Sequence, residues 1–390
     1  MDRPLLTTLF VDFGSSAFAV PGEAARILRV EGKTGRLRSE VRRLCPRRPG
    51  VYGMIDANGD LIYVGKAKSL RARLLSYFRP RSRDPRAGKI LRQARSLVWE
   101  PAPSEFAALL RELELIRRWR PRCNIHGHPL RRNVAYLCIG GAPAPHVFLS
   151  RRPPAKLLAR YGPISAGLRA KEAVRRLNDL CGLRDCPQPQ EMVFSDDRDL
   201  FGEPPAAGCI RLEIGTCLGP CAAACSRRDY GASVRAAKKL LAGLDDAPLR
   251  RLDNEMTAAA ADQAFERAAA LRDRLQPIHW LLEQLEKLHE VRTDYSFIYP
   301  VSGVTGEVLW YAIHGGRTVA VMPKPRNAQQ ARAAAETIQS IYFAESCRRT
   351  SESYEHVDGL LLVASWFRRH PKEKRKVLRP EEALRQWPHV

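Results

Sequence analysis

The chain has 390 residues, is 45% hydrophobic and 27% charged, and carries a formal net charge of +23 from 65 Lys+Arg against 42 Asp+Glu. That length and apolar content exclude a disordered tail and allow two or three compact units. The positive excess favours a polyanionic partner, because cations that neutralise phosphates release condensed counterions; nucleic acid comes first and an anionic membrane surface second.

No apolar run reaches the roughly eighteen residues of a membrane span, and the N-terminus lacks the charged, apolar and cleavage-site order of a signal peptide, which reads as cytoplasmic. Residues 1–46, with "TTLFVDFG" and "GEAARILRVEG", read as an N-terminal extension without chemistry of its own. From Pro49, two apolar runs flank Asn58-Gly59, the strongest short-range hairpin signal. A basic helix is expected over about 67–77, then a strand at "SLVWEPA". In "SEFAALLRELELIRRWRP", Phe106, Leu109, Leu110, Leu113 and Ile116 recur at helical spacing until Pro121 ends the pattern. Residues 41–140 hold 22 Lys+Arg against 7 Asp+Glu, so this stretch supplies +15 of the +23.

Residues 126–230 read as irregular and rich in Gly, Pro and Cys, with one helix near "AKEAVRRLNDLCG". A helical hairpin is expected over 245–290, where Ala264, Ala268, Leu271 and Leu275 share a face. Beyond Thr293 the pattern gives three short antiparallel strands, an alanine-rich helix from about Ala328 and a last apolar run, "VDGLLLVASWF". The basic residues 368–379 read as solvated surface. The fold class is α+β: an α/β unit over 47–125, a Cys-rich segment, a helical hairpin, and a small antiparallel α+β region over 291–390.

The hairpin carries chemistry. Alternate strand residues share a face, so a suitable register brings Tyr52 and Tyr63 together. An ordinary cross-strand aromatic pair would look the same, but the company is unusual. Lys66 follows Tyr63 by three residues, Arg73 and Tyr77 share a helix face, and Glu112 sits among apolar positions on the next helix. A phenol, phosphate-clamping cations and a carboxylate able to hold a hard divalent cation are the parts needed to hydrolyse DNA.

"PGVYG", "YVGKAKSLRARLLSYF" and "LRELELIRRWRPRCNI" together resemble the GIY-YIG nuclease module in its UvrC-type form, the C subunit of the bacterial excinuclease. The resemblance covers 49–124 and implies that Tyr52 and Tyr63 are the tyrosines of the two half-motifs. It implies phosphate-binding and positioning roles for Lys66, Arg73 and Tyr77, a metal-ligand role for Glu112 toward Mg2+ or Mn2+, and a site-ordering role for Asn124. Tyr52 is then the expected general base, which needs a neighbouring cation such as Lys66 to favour the phenolate. Cys123 departs from the family, which usually has an aromatic residue there.

Cys186, Cys209, Cys217 and Cys221 give C-x22-C-x7-C-x3-C, which in a reducing compartment points to metal more often than to bridges. The spacing leaves iron-sulfur and zinc open; the resemblance implies an iron-sulfur cluster. "AFERAAALRDRL" is similar to the UVR hairpin through which UvrC-type proteins bind the B subunit of the excinuclease. Long UvrC-type chains continue into a ribonuclease H-like nuclease domain with an acidic triad, whereas only Asp294 and Asp358 occur here after Arg292. The short Cho-type homologues are the closer analogue, which implies one incision, 3′ of a lesion in DNA. An inactive DNA-binding adaptor and a free-standing structure-specific nuclease are the alternatives.

Overall fold

The Asn58-Gly59 turn forms because the buried Asp56 carboxylate accepts from the backbone N–H of Asn58 and Asp60, at 2.9 and 3.1 Å, and Gly59 takes φ +80. The turn joins β2 (Gly50–Ile55) of a four-stranded antiparallel sheet to β3 (Leu61–Ala67). The computed structural model describes residues 10–16, 25–29, 34–78, 85–125, 134–186, 190–197, 208–344 and 357–386, and the chain falls into two units. The first comprises 1–128 and 291–390, the second 129–290.

The first unit begins with β1 (Arg26–Arg29) and α1 (Thr34–Leu44), followed by β2 (Gly50–Ile55), β3 (Leu61–Ala67), α2 (Leu70–Ser76), α3 (Pro85–Gln93) and β4 (Ser96–Pro101). The strand order is β1-β4-β2-β3, which leaves β3 at an edge. Residues 1–46 were expected to be a bare extension. Instead β1 pairs with β4, Arg26 opposite Trp99, and Phe13 is buried. Four residues are too short a run to signal a strand from sequence.

Helix α4 (Glu105–Trp119) starts where the Ser104 hydroxyl accepts from the Ala107 N–H at 3.0 Å. It ends where Arg120 turns left-handed at φ 45, and α5 (Arg122–Ile125) follows. Phe106 on α4 packs edge-on against Tyr299 and Tyr311, with ring centroids 5.2 and 5.0 Å away. Through these rings α4 seats the antiparallel sheet of β8 (Phe297–Ser302), β9 (Val308–His314) and β10 (Arg317–Pro323), ordered β10-β9-β8.

The second unit corrects the expectation of irregular chain over 126–230. Three strands, β5 (Val134–Gly140), β6 (His146–Ser150) and β7 (Ala159–Ser165), form an antiparallel sheet in the order β6-β5-β7. The buried Asn178 on α6 (Leu168–Leu180) clamps β6 by accepting from the Val147 N–H at 3.1 Å and donating to its carbonyl at 2.8 Å. The short α7 (Ile210–Glu213) and then α8 (Arg227–Leu241) lead to a helical hairpin of α9 (Ala247–Ala261) and α10 (Phe265–Asp294), turned at Gln263 with φ 59. Leu177, Tyr230, Leu240, Leu275 and Leu281 are buried in one core.

After β10 the first unit closes with α11 (Ala328–Tyr342), α12 (Val357–Arg369), α13 (Pro371–Lys374) and α14 (Pro380–Arg385). Residues 368–379 are not wholly the solvated surface expected. Leu378 bridges to Ile298 on β8 in both directions, at 2.8 and 2.9 Å. No helix is long and apolar enough to cross a membrane among the described residues.

Candidate active site

Antiparallel register sets the face. Tyr52 stands opposite Gly65 and Tyr63 opposite Met54, so the two tyrosines lie diagonally on one side of the hairpin with ring centroids 6.0 Å apart. Gly65 is required here, because a Cβ at that position would come within 2.7 Å of the Tyr52 hydroxyl and the ring carbon that bears it. Tyr52 is fully buried; Tyr63 is only half-buried.

From α2, Arg73 Nε donates to the Tyr52 hydroxyl at 3.0 Å, and its guanidinium lies 5.1 Å from the centre of the Tyr77 ring. Tyr52 and Tyr77 share a hydrogen bond of 2.9 Å between their hydroxyls. Burial, and then the neighbouring phenols, push the Tyr52 hydroxyl well above the ordinary tyrosine range, and Arg73 only partly offsets this. Tyr77 is raised as well, with burial the first cause. The expected cation at Tyr52 was Lys66, but the structure puts Arg73 there. Lys66 is on the edge strand and its ammonium lies 3.8 Å from Glu105, which also holds Lys68 at 3.0 Å.

Glu112 is about two turns along α4 from Glu105, the residue that contacts Lys66. Its Oε1 accepts from the Lys66 backbone N–H at 3.0 Å. Desolvation lifts its carboxyl from 4.5 to about 7, against the opposing pull of Lys66 and Arg73. The surface pairing with Arg111 that would make Glu112 unremarkable is absent among the described residues, because Arg111 turns to Glu100 and Glu114, both at 2.9 Å. Asn124 accepts from the Val64 N–H and donates to the Val64 carbonyl, both at 2.8 Å. Cys123 is half-buried against the core that contains Tyr52 and Trp99.

Six of the seven expected residues gather here through side-chain contacts or electrostatics: Tyr52, Tyr63, Lys66, Arg73, Tyr77 and Glu112. Asn124 acts on the strand between Tyr63 and Lys66. Sequence reasoning missed Glu105 and Gly65. Glu105 carried the signal of an acid at the first helical position after the Ser104 cap; Gly65 is the glycine of "YVG".

A divalent cation fits Glu112. A half-buried carboxylate within electrostatic reach of Lys66 and Arg73 suits a hard ion that keeps water and substrate oxygens as its other ligands. At the cysteines, burial raises the thiols of Cys217 and Cys221, and charge on Cys186 and Cys209 raises Cys221 further. The donor chemistry of Cys186, Cys209, Cys217 and Cys221 suits a thiophilic metal, although no three metal-ligating side chains converge on one point among the described residues.

Three family profiles match the chain in order. Residues 48–125 match the UvrC-like GIY-YIG domain, 134–240 the UvrC/Cho excinuclease middle domain, and 246–278 the UvrB/uvrC motif. This is a UvrC-type GIY-YIG chain. The UvrABC system protein C of Dechloromonas aromatica is 32% identical over 236 residues, which is 60% of this chain and 37% of that protein. That of Methanosarcina acetivorans is 30% identical over 274 residues, 70% of this chain and 49% of that protein. The UvrC-type chain thus spans between about a third and a half of these relatives' length. The magnesium-bound GIY-YIG endonuclease domain of UvrC from Thermotoga maritima is 35% identical, covering 23% of this chain and 96% of that one, with a TM-score of 0.21.

Proposed function

We propose that the chain is a metal-dependent endonuclease of nucleotide excision repair that hydrolyses one phosphodiester on the 3′ side of a DNA lesion. The observation that carries this reading is Arg73, which contacts the buried Tyr52 hydroxyl and lies within electrostatic reach of the Glu112 carboxylate. The match of 48–125 to the UvrC-like nuclease domain supports it.

The roles follow from burial. Tyr52, expected as the general base, has a hydroxyl sealed from water and held against ionisation, so it serves to orient Arg73 and Tyr77. The half-buried Tyr63 is the phenol open to an attacking water; as the phenolate, its own proton given up to bulk water, it accepts the proton of the attacking water as the new P–O bond forms and the bond to the leaving oxygen breaks, and that oxygen takes a proton from solvent. Arg73 and Lys66 neutralise charge gathering on the phosphoryl oxygens. Mg2+ or Mn2+ held by Glu112 would supply charge neutralisation at the leaving oxygen. Because the Glu112 carboxyl keeps its proton up to about pH 7, metal affinity should rise about tenfold per pH unit below 7 and level off above it. Calorimetric titration of Mn2+ from pH 5.5 to 8 checks this; a flat profile would remove Glu112 as the ligand.

The test of the whole reading is an end-labelled duplex with one bulky lesion, incubated with the A and B subunits and Mg2+. A single cut 3′ of the lesion is expected; a cut on the 5′ side, or binding without a cut, overturns it.

The UvrB/uvrC motif supports the B subunit as partner. Phe265, 68% exposed at the start of α10, is the apolar side chain the hairpin offers to it. Phe265→Asp should abolish pull-down of the B subunit while leaving the melting temperature unchanged. An iron-sulfur cluster at Cys186, Cys209, Cys217 and Cys221, with zinc the alternative, completes the proposal. Anaerobically purified protein should show a broad visible absorption that Cys217→Ser removes; zinc in equal amount with no such band would decide for zinc.

A further inference from the structure

The first unit contains a cleft of about 630 Å3 that belongs to neither the phenol cluster nor Glu112. One wall is the segment entering α4, including Pro103; the other is the β8–β9 turn and the end of β10, including Val304. The two walls are tied together where the Val304 N–H donates to the Pro103 carbonyl at 3.0 Å. The Phe106 ring, locked against Tyr299 and Tyr311, fixes the same junction from beneath. Position relative to the active site is therefore set by one rigid helix. Phe106 and Glu112 are six residues apart on α4, about 9 Å of helical rise.

The cleft is cationic at its mouth and apolar on its walls. Lys324 and Arg326 are exposed, and neither forms an ion pair among the described residues. Arg48 lines the cleft half-buried, and its charge helps to hold the Glu307 carboxyl below the usual range, behind the larger effect of the Thr305 hydroxyl. Three cations thus face one carboxylate. Two residues beyond Pro103, Glu105 gathers Lys66 and Lys68, so positive charge continues from the cleft to the site.

We propose that this cleft holds the sugar-phosphate backbone of the DNA strand a few nucleotides from the scissile phosphate, which makes the C-terminal strand region part of substrate binding. The proposal rests on the nuclease reading. Proline and valine walls suit sugar and base faces, and the cations suit phosphates. A distance on the order of 10 Å from Glu112 corresponds to about three nucleotides at roughly 3.4 Å of axial rise per strand residue. An acidic peptide would match the charge but would have no reason to lie beside Lys66 and Glu112.

The experiment measures binding of a fluorescent single-stranded oligonucleotide by the full chain across a series of salt concentrations, for the parent, Lys324→Ala/Arg326→Ala and Glu112→Ala. Each lost phosphate contact should flatten the slope of log affinity against log salt by about 0.7. The double variant should therefore lose about 1.4 of slope, with an unchanged melting temperature, and should cut lesion-bearing duplex with raised KM and near-parental kcat. Glu112→Ala should keep the parental slope and lose cutting. A parental slope in the double variant overturns the cleft proposal while leaving the nuclease reading intact. A parent that never cuts, beside a flattened slope in the double variant, overturns the nuclease reading and keeps the cleft as a DNA-binding surface. A flattened slope with a lowered melting temperature would be checked with Lys324→Gln/Arg326→Gln, and a parental slope there also overturns the cleft.

Discussion

Glu112→Ala should lose cleavage by a factor on the order of 1,000 or more, keep DNA binding, and yet melt no lower than the parent. The loss of cleavage follows from removing the carboxylate on which both Lys66 and Arg73 act. The unlowered melting temperature follows from linkage. The folded carboxyl is raised to about 7, from the 4.5 it has when free, so the fold prefers the protonated form. Its contribution to stability is fully present below pH 4.5 and is lost as pH rises through about 7. The variant has no such loss, so its melting temperature should gain on the parent's as pH is raised from 4.5 to 7. The lost acceptor for the Lys66 N–H offsets part of that gain, by about 1 kcal/mol. Calorimetry at several pH values beside single-turnover cleavage checks both parts. A variant that loses activity and also melts lower with rising pH would mean that Glu112 is a structural residue.

Arg73→Ala should lower kcat by about 100- to 1,000-fold with a much smaller change in KM. Among the described residues its guanidinium is the one cation that touches the buried Tyr52 hydroxyl, and it also lies over the Tyr77 ring. Removing it leaves the Tyr52–Tyr77 hydrogen bond in place, so the phenols remain partnered and the fold should hold. Arg73→Lys should recover little, because a point charge on a flexible stem cannot reproduce an Nε–H aimed at Tyr52 while stacking on Tyr77. Cleavage with excess enzyme separates kcat from KM. Equal losses in Arg73→Ala and in Lys68→Ala would show that only general positive charge matters.

Much of the site was legible because its signals are local. The Asn58-Gly59 turn, the period-two hairpin, the three-residue spacing of Tyr63 with Lys66 and the four-residue spacing of Arg73 with Tyr77 lie within thirty residues of sequence. What stayed hidden depends on distance along the chain. Nothing near Phe106 announces that Tyr299 and Tyr311 will enclose it, so the joining of 291–390 to the nuclease module was not visible. Nor could spacing tell which cation reaches Tyr52. Lys66 is nearer in sequence, but its strand points its ammonium at Glu105, whereas α2 aims Arg73 inward. The sheet over 134–165 escaped because its strands are separated by "GGAPAP" and "RRPPAKLL", turn-rich stretches that mask short runs.

The placement of Glu112 and Asn124 has one more consequence. Strand β3 is an open sheet edge, and the outward backbone groups of Val64 and Lys66 would be a template for another chain's strand. Asn124 takes both groups of Val64, and Glu112 takes the N–H of Lys66. The Asn124 and Glu112 side chains therefore occupy backbone groups through which the strand of a neighbouring molecule would pair with this edge.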